Sequence, residues 1–341
     1  MKQYSIALLG FGNVGQALAR LLLRKQDVLR SDHGISYTVT GIATSRHGMA
    51  IDRHGIDLDR ALHLISAGKP LNELSREAYN PDPIEFINHC AAQVLFENTP
   101  VNYVDGQPAV SYLRTALGQG MHAISANKGP VVHAYRELTE LAKQQGRKFY
   151  FESAVMDGAP IFSLFRECMP AAHLKAFHGI LNSTTNLILT RMEGGESFEQ
   201  AIGYAQSSGI AETDPSGDID GWDAAVKVAA LVTVLMDLPL IPAQVDRSGI
   251  RSITPYAIQR AARQGKRWKL VCMAQRSAES VTASVKPELV GSDSPLYGVN
   301  GTSSIITFET DVLPQLSIVE GNPGPETTAY GLLTDFINLS R

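Results

Sequence analysis

Cysteine is scarce in this chain: three residues, Cys90, Cys168 and Cys272, stand far apart and are odd in number. Such spacing fits neither a zinc motif nor a disulfide framework, and reduced thiols are expected. Long apolar runs are missing as well. The longest, at 228–236 (VAALVTVLM), is about half of the roughly 20 residues that a membrane-spanning helix needs, so it reads as a buried helix. Basic runs are also absent. Lys and Arg total 30 against 34 Asp and Glu, a formal net charge of −4, which leaves no footprint for a polyanion. The N-terminus carries one Lys and a short apolar stretch that runs straight into glycines, with no small-residue cleavage site. The expectation is an intracellular, cytoplasmic protein with no membrane and no nucleic acid among its partners.

What remains is ample chain and regular alternation. The 341 residues, 44% of them hydrophobic, suffice for about two domains with a core each. A β-type run at 4–9 leads at once into Gly10-Phe11-Gly12-Asn13-Val14-Gly15, and an amphipathic stretch follows. Further strands at 37–43, 92–96, 122–125 and 148–152 alternate with helices at 109–119 and 135–145, a pattern that predicts an open parallel sheet. After about residue 152 the pattern changes. A long apolar helix at 222–238, β-type runs at 281–285, 304–309 and 315–320, and a last helix at 328–339 predict a second domain of mixed α/β character.

The Gly10-x-Gly12-x-x-Gly15 spacing permits a tight turn, approach of a pyrophosphate to backbone N–H groups, and close helix packing, which points to a dinucleotide. The end of the second strand, Thr44-Ser45-Arg46-His47, has no carboxylate to hold a ribose 2′-hydroxyl. Arg46 could meet a 2′-phosphate there, so NADP is favoured over NAD. Lys128 follows another strand and is expected at the carboxyl edge of the sheet, where ligands sit. In the acidic stretch AETDPSGDIDGWDAAVK, Asp223 and Lys227 share a helix face. No glycine stands where a calcium loop needs one. Lys227 opens onto an apolar helix, where an ammonium is costly unless paired and is suited to proton transfer.

Several stretches together resemble the homoserine dehydrogenase family: GFGNVG, ENTP, SANKG, FESAVMDGAPI, GILNSTTNLILTRM, GIAETDPSGDIDGWDAAVK and GNPGPETTA, in the family's order. The resemblance implies a Rossmann-type NAD(P)-binding domain over 1–152, completed by 322–341. It also implies an α/β substrate-binding and dimerisation domain over 153–321, in a homodimer or homotetramer. The implied reaction is the interconversion of L-homoserine and L-aspartate 4-semialdehyde. By motif, Gly10, Gly12, Asn13, Val14 and Gly15 would hold the dinucleotide phosphates, Thr99 the nicotinamide side, and Gly209, Glu212 and Gly324 further parts of the cofactor pocket. Glu212 and Asp223 would bind the substrate ammonium, Lys227 would exchange the proton, and Lys128 would lie beside the cofactor near the substrate oxygen. A monovalent cation such as Na⁺ would sit at Glu152, Val155, Asp157 and Ala159, although the family usually has a Gly and a larger aliphatic residue at the last two. The chain's length leaves no room for a regulatory ACT domain after GNPGPETTA. Competing readings are a related oxidoreductase of another hydroxy amino acid or hydroxy acid, and a non-catalytic NAD(P)-binding regulator; the joint presence of Lys128 and Lys227 argues against the regulator. A thiol-dependent aldehyde dehydrogenase is disfavoured because no cysteine lies in a site-like motif.

Overall fold

The computed structural model describes residues 1–76, 82–278 and 280–341. The chain divides into two compact units, Met1–Pro160 with Gly324–Arg341, and Ile161–Pro323. Residues 153–160 pack in the first unit because hydrogen bonds tie them to its last helix. Ser153 Oγ donates to the Thr328 carbonyl at 2.7 Å, and Thr328 Oγ1 donates to the Asp157 carboxylate at 2.9 Å.

The first unit is built on strands β1 (Lys2–Leu9), β2 (Ile35–Thr44), β3 (Gly48–Ile51), β4 (Val94–Glu97), β5 (His122–Ser125) and β6 (Phe149–Tyr150). They lie in the order β3-β2-β1-β4-β5-β6. All pairs are parallel except β2–β3, a short hairpin that the sequence pattern does not announce. Strand periodicity sends alternate side chains to opposite faces, and β1 supplies both layers. Ile6 and Leu8 enter one core with Leu18, Leu22, Phe96 and Phe336, while Ala7 and Leu9 enter another with Phe86, Ile87 and Leu95. The C-terminal helix, Pro325–Leu339, is thereby a structural part of the first unit: Phe336 is fully buried and meets Tyr4 and Phe96 edge to face at 5.5 and 5.7 Å. Strand β6 is shorter than its apolar run because the chain turns away after Phe151, and the Glu152 N–H goes to the Asp335 carboxylate at 2.7 Å.

The second unit holds a sheet of β7 (Leu174–Ile180), β8 (Asp246–Arg247), β9 (Lys266–Ser277), β10 (Ser280–Gly291), β11 (Ser304–Thr310) and β12 (Leu316–Glu320), in the order β12-β11-β7-β9-β10-β8. It is antiparallel apart from the short β8–β10 pair. Along β9, Leu270, Cys272 and Ala274 are buried. Val271, Met273 and Gln275 alternate with them and line a groove of about 430 Å³ with Ala176, His178 and Glu309. The helix Trp222–Leu235 is apolar on most of its surface and sequestered between its ends, with Trp222 exposed at its start. From Asp223 to Thr233, Lys227 alone is not fully buried.

His122, at the start of β5, accepts the Lys148 N–H on Nδ1 at 3.1 Å, which requires a neutral ring. Burial first, then the charges of Arg147 and Lys148, lower its pKa from 6.5 to about 4. In the unfolded chain the imidazole takes up its proton first, so its contribution to stability is complete above pH 6.5 and drains away as pH falls toward 4. His122→Gln keeps an acceptor for Lys148 and is expected to flatten the acid limb of chemical-denaturation stability between those pH values. An unchanged slope would show that the ring's protonation is not coupled to folding.

Candidate active site

In an open parallel sheet, ligands bind outside the carboxyl ends of the strands, where the strand order reverses. Here that point lies between β1 and β4, with β2 and β3 on one side and β5 and β6 on the other. The three fingerprint glycines have three different reasons to lack a side chain. Gly10 has φ +96°, and a β-carbon there would come within 2.4 Å of the Asn98 carbonyl oxygen. At Gly15 a β-carbon would meet the Gly10 carbonyl at 2.3 Å, so the first helical turn can pack only against hydrogen. Gly12 has an ordinary φ of −77°, and nothing lies within 4 Å of a β-carbon built on it. Its open side leaves room for a ligand over the turn.

Gly12 caps the helix Asn13–Arg24 without a side-chain hydrogen bond. The first-turn N–H groups, those of Asn13 and Val14 included, have no partner within the helix. Donors, helix dipole and an uncovered glycine together fit a pyrophosphate, and the residues present match a dinucleotide. Arg46 is exposed at the tip of the β2–β3 hairpin, at the carboxyl end of β2. Asp52, just past the far end of β3, is buried and engaged by Arg76 at 3.2 Å and by the His54 N–H at 2.9 Å.

Thr99 and Lys128 stand at the carboxyl ends of β4 and β5. Lys128 is the half-buried first residue of a short helix, Lys128–His133, which Asn127 caps by accepting the Gly129 N–H at 3.0 Å. Behind Thr99 lies a residue that sequence reasoning missed. Glu97 is fully buried and accepts the Thr99 N–H at 2.8 Å, the Thr99 hydroxyl, and the Ser125 hydroxyl at 2.7 Å. Burial raises its pKa, and these hydrogen bonds oppose the rise. Glu97 stands in ENTP, and a Glu ending a wholly apolar strand was the available signal.

The acidic motif folds into a second cluster. Lys227 Nζ donates to the Leu181 carbonyl at 2.6 Å and pairs with Asp223 Oδ2 at 3.1 Å, the two side chains being 16% and 10% exposed. Asn182, the cap of the helix Ser183–Glu193, splits its amide between two carboxylates: Asp218 Oδ1 at 2.6 Å and Asp223 Oδ2 at 3.0 Å. Its carbonyl oxygen accepts the Thr185 N–H at 2.8 Å, so one side chain both caps the helix and bridges the acids. Burial and then the neighbouring Asp223 charge push the Asp218 carboxyl upward, while Asn182, Thr184 and Lys227 restrain it. Asp218 is a further residue that sequence reasoning did not place in the site, and the hydroxyl- and amide-rich stretch at 182–186 suggested a helix cap or a binding loop without showing that Asn182 would join the two acids. Their motifs were visible, but the bridge between segments distant in sequence was not.

Glu212 is exposed, and among the described residues no hydrogen bond or ion pair joins its side chain to Asp223 or Lys227. Gly209, at φ +74°, ends the turn after the helix Phe198–Ser207, and Gly324 is the extended N-cap of the Pro325–Leu339 helix in the other unit. In the 152–159 segment Met156 and Asp157 both have positive φ, 53° and 45°, which turns the backbone sharply between Val155 and Ala159. Among the described residues no group of three or more His, Cys, Asp or Glu could hold a metal ion. Cys90 and Cys272 are buried, and burial pushes their thiols up to about 11 and about 12. Neither supplies a thiolate near neutral pH.

Comparison with known proteins agrees over the whole chain. Residues 160–337 match the family profile described as homoserine dehydrogenase, and residues 10–152 match that of the homoserine dehydrogenase NAD binding domain. The NAD(+)-dependent homoserine dehydrogenase of Pseudomonas canavaninivorans is 34% identical, covering 99% of this chain and 97% of its own. The homoserine dehydrogenase of Methanocaldococcus jannaschii is 35% identical, with 98% of each chain covered. Among solved structures, a putative homoserine dehydrogenase from Archaeoglobus fulgidus superposes with a TM-score of 0.86 at 30% identity, over 98% of this chain and 99% of that one. A hyperthermophilic archaeal homoserine dehydrogenase in complex with NADPH gives 0.83 at 31% identity, over 99% and 98%.

The different reasons behind the glycines can be separated by experiment. Gly12→Ala is expected to leave thermal stability almost unchanged and to weaken dinucleotide binding about tenfold or more, read by fluorescence titration with NADPH. Gly15→Ala, which must displace backbone, is expected to lower the melting temperature; equal behaviour of the two variants would contradict the open-side reading of Gly12. The fingerprint geometry, the lysine–carboxylate cluster and the full-length matches together place this chain in the homoserine dehydrogenase family, NAD(P)-dependent oxidoreductases.

Proposed function

We propose that this chain interconverts L-homoserine and L-aspartate 4-semialdehyde. The observation that carries the reading is Lys227, an ammonium held by one carbonyl and one carboxylate at the edge of an otherwise buried helix. Oxidising a primary alcohol to an aldehyde removes a hydride from carbon and a proton from oxygen. The nicotinamide of a bound dinucleotide supplies the hydride chemistry. Lys227 handles the proton: two of its three N–H directions go to Leu181 and Asp223, and the third is assigned to the substrate oxygen. In the reductive direction that N–H stabilises the developing alkoxide and then protonates it.

Asp218 and Asp223 together outweigh the one positive charge of Lys227, and an amino-acid ammonium group would balance the remainder. Glu212 joins them as a substrate and cofactor residue on the strength of the resemblance. Asn13, Val14 and the fingerprint glycines are assigned to the pyrophosphate, Thr99 and Lys128 to the nicotinamide end, and Arg46 to a 2′-phosphate. Preference for NADP over NAD follows from Arg46 and from the lack of a carboxylate ending β2. The named relatives include both an NAD(+)-dependent enzyme and an NADPH complex.

The second unit is proposed to bind substrate and to pair two copies of the chain through its sheet, where Val271, Met273 and Ala176 leave an apolar strip in the groove. A dimer would have about twice the 36.9 kDa of one chain by light scattering; a monomeric mass at micromolar concentration would dismiss the pairing.

Purified protein with L-homoserine is expected to reduce NADP⁺ faster than NAD⁺, monitored by absorbance of the reduced ring. No turnover with either cofactor, in either direction, would sink the reading. The cation assigned to Glu152, Val155, Asp157 and Ala159 is probed by exchanging Na⁺ for tetramethylammonium in the same assay. Lys227→Ala is expected to cut kcat by about a hundredfold or more while NADPH titration is unchanged; retained turnover would remove Lys227 from the proton role.

A further inference from the structure

One buried carboxylate does no work in the reaction as described. Glu97 ends β4, and the backbone ladder already pairs it with Ser125 on β5 without help from its side chain. A carboxyl group placed where water cannot reach is costly unless its oxygens are hydrogen bonded. Both oxygens of Glu97 are. Oε1 takes the N–H and hydroxyl of Thr99, and Oε2 takes the Ser125 hydroxyl. The pattern continues beyond the carboxylate. Ser125 Oγ accepts the Asn127 N–H at 2.9 Å, and Asn127 Nδ2 donates back to the Thr99 carbonyl at 3.2 Å and to the Pro100 carbonyl at 3.4 Å. The bonds close into a ring: Glu97, Thr99, Asn127, Ser125 and Glu97 again. Asn127 also caps the short helix on which Lys128 is the first residue.

Two loops therefore leave the carboxyl ends of adjacent strands tied to one buried carboxylate. Free loops would have to be ordered at the moment of binding, at a cost in affinity; loops already fixed incur little of it. We propose that Glu97 is a positioning residue for the dinucleotide, holding Thr99 and the Lys128 segment in their binding arrangement. It makes no contact with the ligand itself. The proposal rests on the assignment of Thr99 and Lys128 to the nicotinamide end.

Glu97→Gln tests it in the full-length protein. The substitution preserves shape but replaces the acceptor that faces the Ser125 hydroxyl with an NH₂ donor, so that hydroxyl must turn away and the ring loses its carboxylate link. Titration with NADPH, followed by fluorescence, is expected to show binding weakened about tenfold. The KM for L-homoserine at saturating cofactor is expected to stay within about twofold and the melting temperature within a few degrees. Ser125→Ala, which removes one donor and is less disruptive, is expected to weaken NADPH binding in the same direction but less. The double variant should bind no worse than Glu97→Gln alone, because both act through one ring. Wild-type NADPH affinity in Glu97→Gln would overturn the role. So would equal losses in NADPH affinity, homoserine KM and melting temperature, the mark of general structural damage. Should Glu97→Gln not fold, wild-type affinity in Ser125→Ala overturns it alone. A wild-type chain that binds neither NADPH nor NADH would instead overturn the dinucleotide assignment beneath the proposal.

Discussion

A cation at the edge of a buried helix is the constraint around which the second unit is arranged. Between Asp223 and Thr233 the helix offers only apolar or small faces apart from Lys227, so the ammonium must be compensated by whatever packs near it. Asp223, one turn earlier, gives a carboxylate, and the chain leaving β7 gives the Leu181 carbonyl. Those two requirements fix where the turn after β7 runs, and that turn places Asn182. Its amide then joins the two acids, donating to the buried Asp223 and to the half-buried Asp218. A surface i,i+4 pair would be worth a few tenths of a kcal/mol at ~25 °C. Here removing either partner leaves a desolvated charge, a far larger penalty.

The first unit solves a different problem, that of keeping a surface bare. Gly10 and Gly15 are demanded by the protein's own backbone, whereas Gly12 is not. A β-carbon at residue 12 would meet nothing within 4 Å, so the chain's own packing does not demand the glycine there. The spacing of the three glycines does not reveal that difference between them.

Much of the first unit was legible because its strands are short, apolar and bracketed by turns: β5 falls at 122–125 as read, and the helix read at 109–119 ends one residue earlier, at Gly118. The second unit was less legible. Strand β9, beginning Lys266-Arg267-Trp268-Lys269, carries too much charge to announce a strand, and its identity depends on β7 and β10 pairing along it. Lys269 shows the difficulty: it is fully buried, its ammonium held by Asn186 Oδ1 at 3.0 Å and Asn300 Oδ1 at 3.2 Å, a partnership no local pattern contains. In the site, motif residues were readable by type, and Lys227 with Asp223 by spacing. Glu97 and Asp218 were not, nor was the bridge that Asn182 makes between two acids, since these arise from contacts between segments distant in sequence.

The two units handle their buried carboxylates in opposite ways, and the contrast follows from what each must do. Asp223 faces the Lys227 ammonium, so its charge is balanced by a neighbouring cation before any ligand arrives. Glu97 faces neutral donors, the Thr99 and Ser125 hydroxyls and the Thr99 N–H among them. Without a counter-charge its acid form is favoured by burial, and these donors with the Asn127 side chain are what restrain the shift. Such a group is poorly suited to trading charge with a substrate and well suited to holding geometry, because each donor it fixes belongs to a loop that must otherwise be ordered when a ligand arrives. Charge is balanced by charge in one unit and dispersed over neutral dipoles in the other.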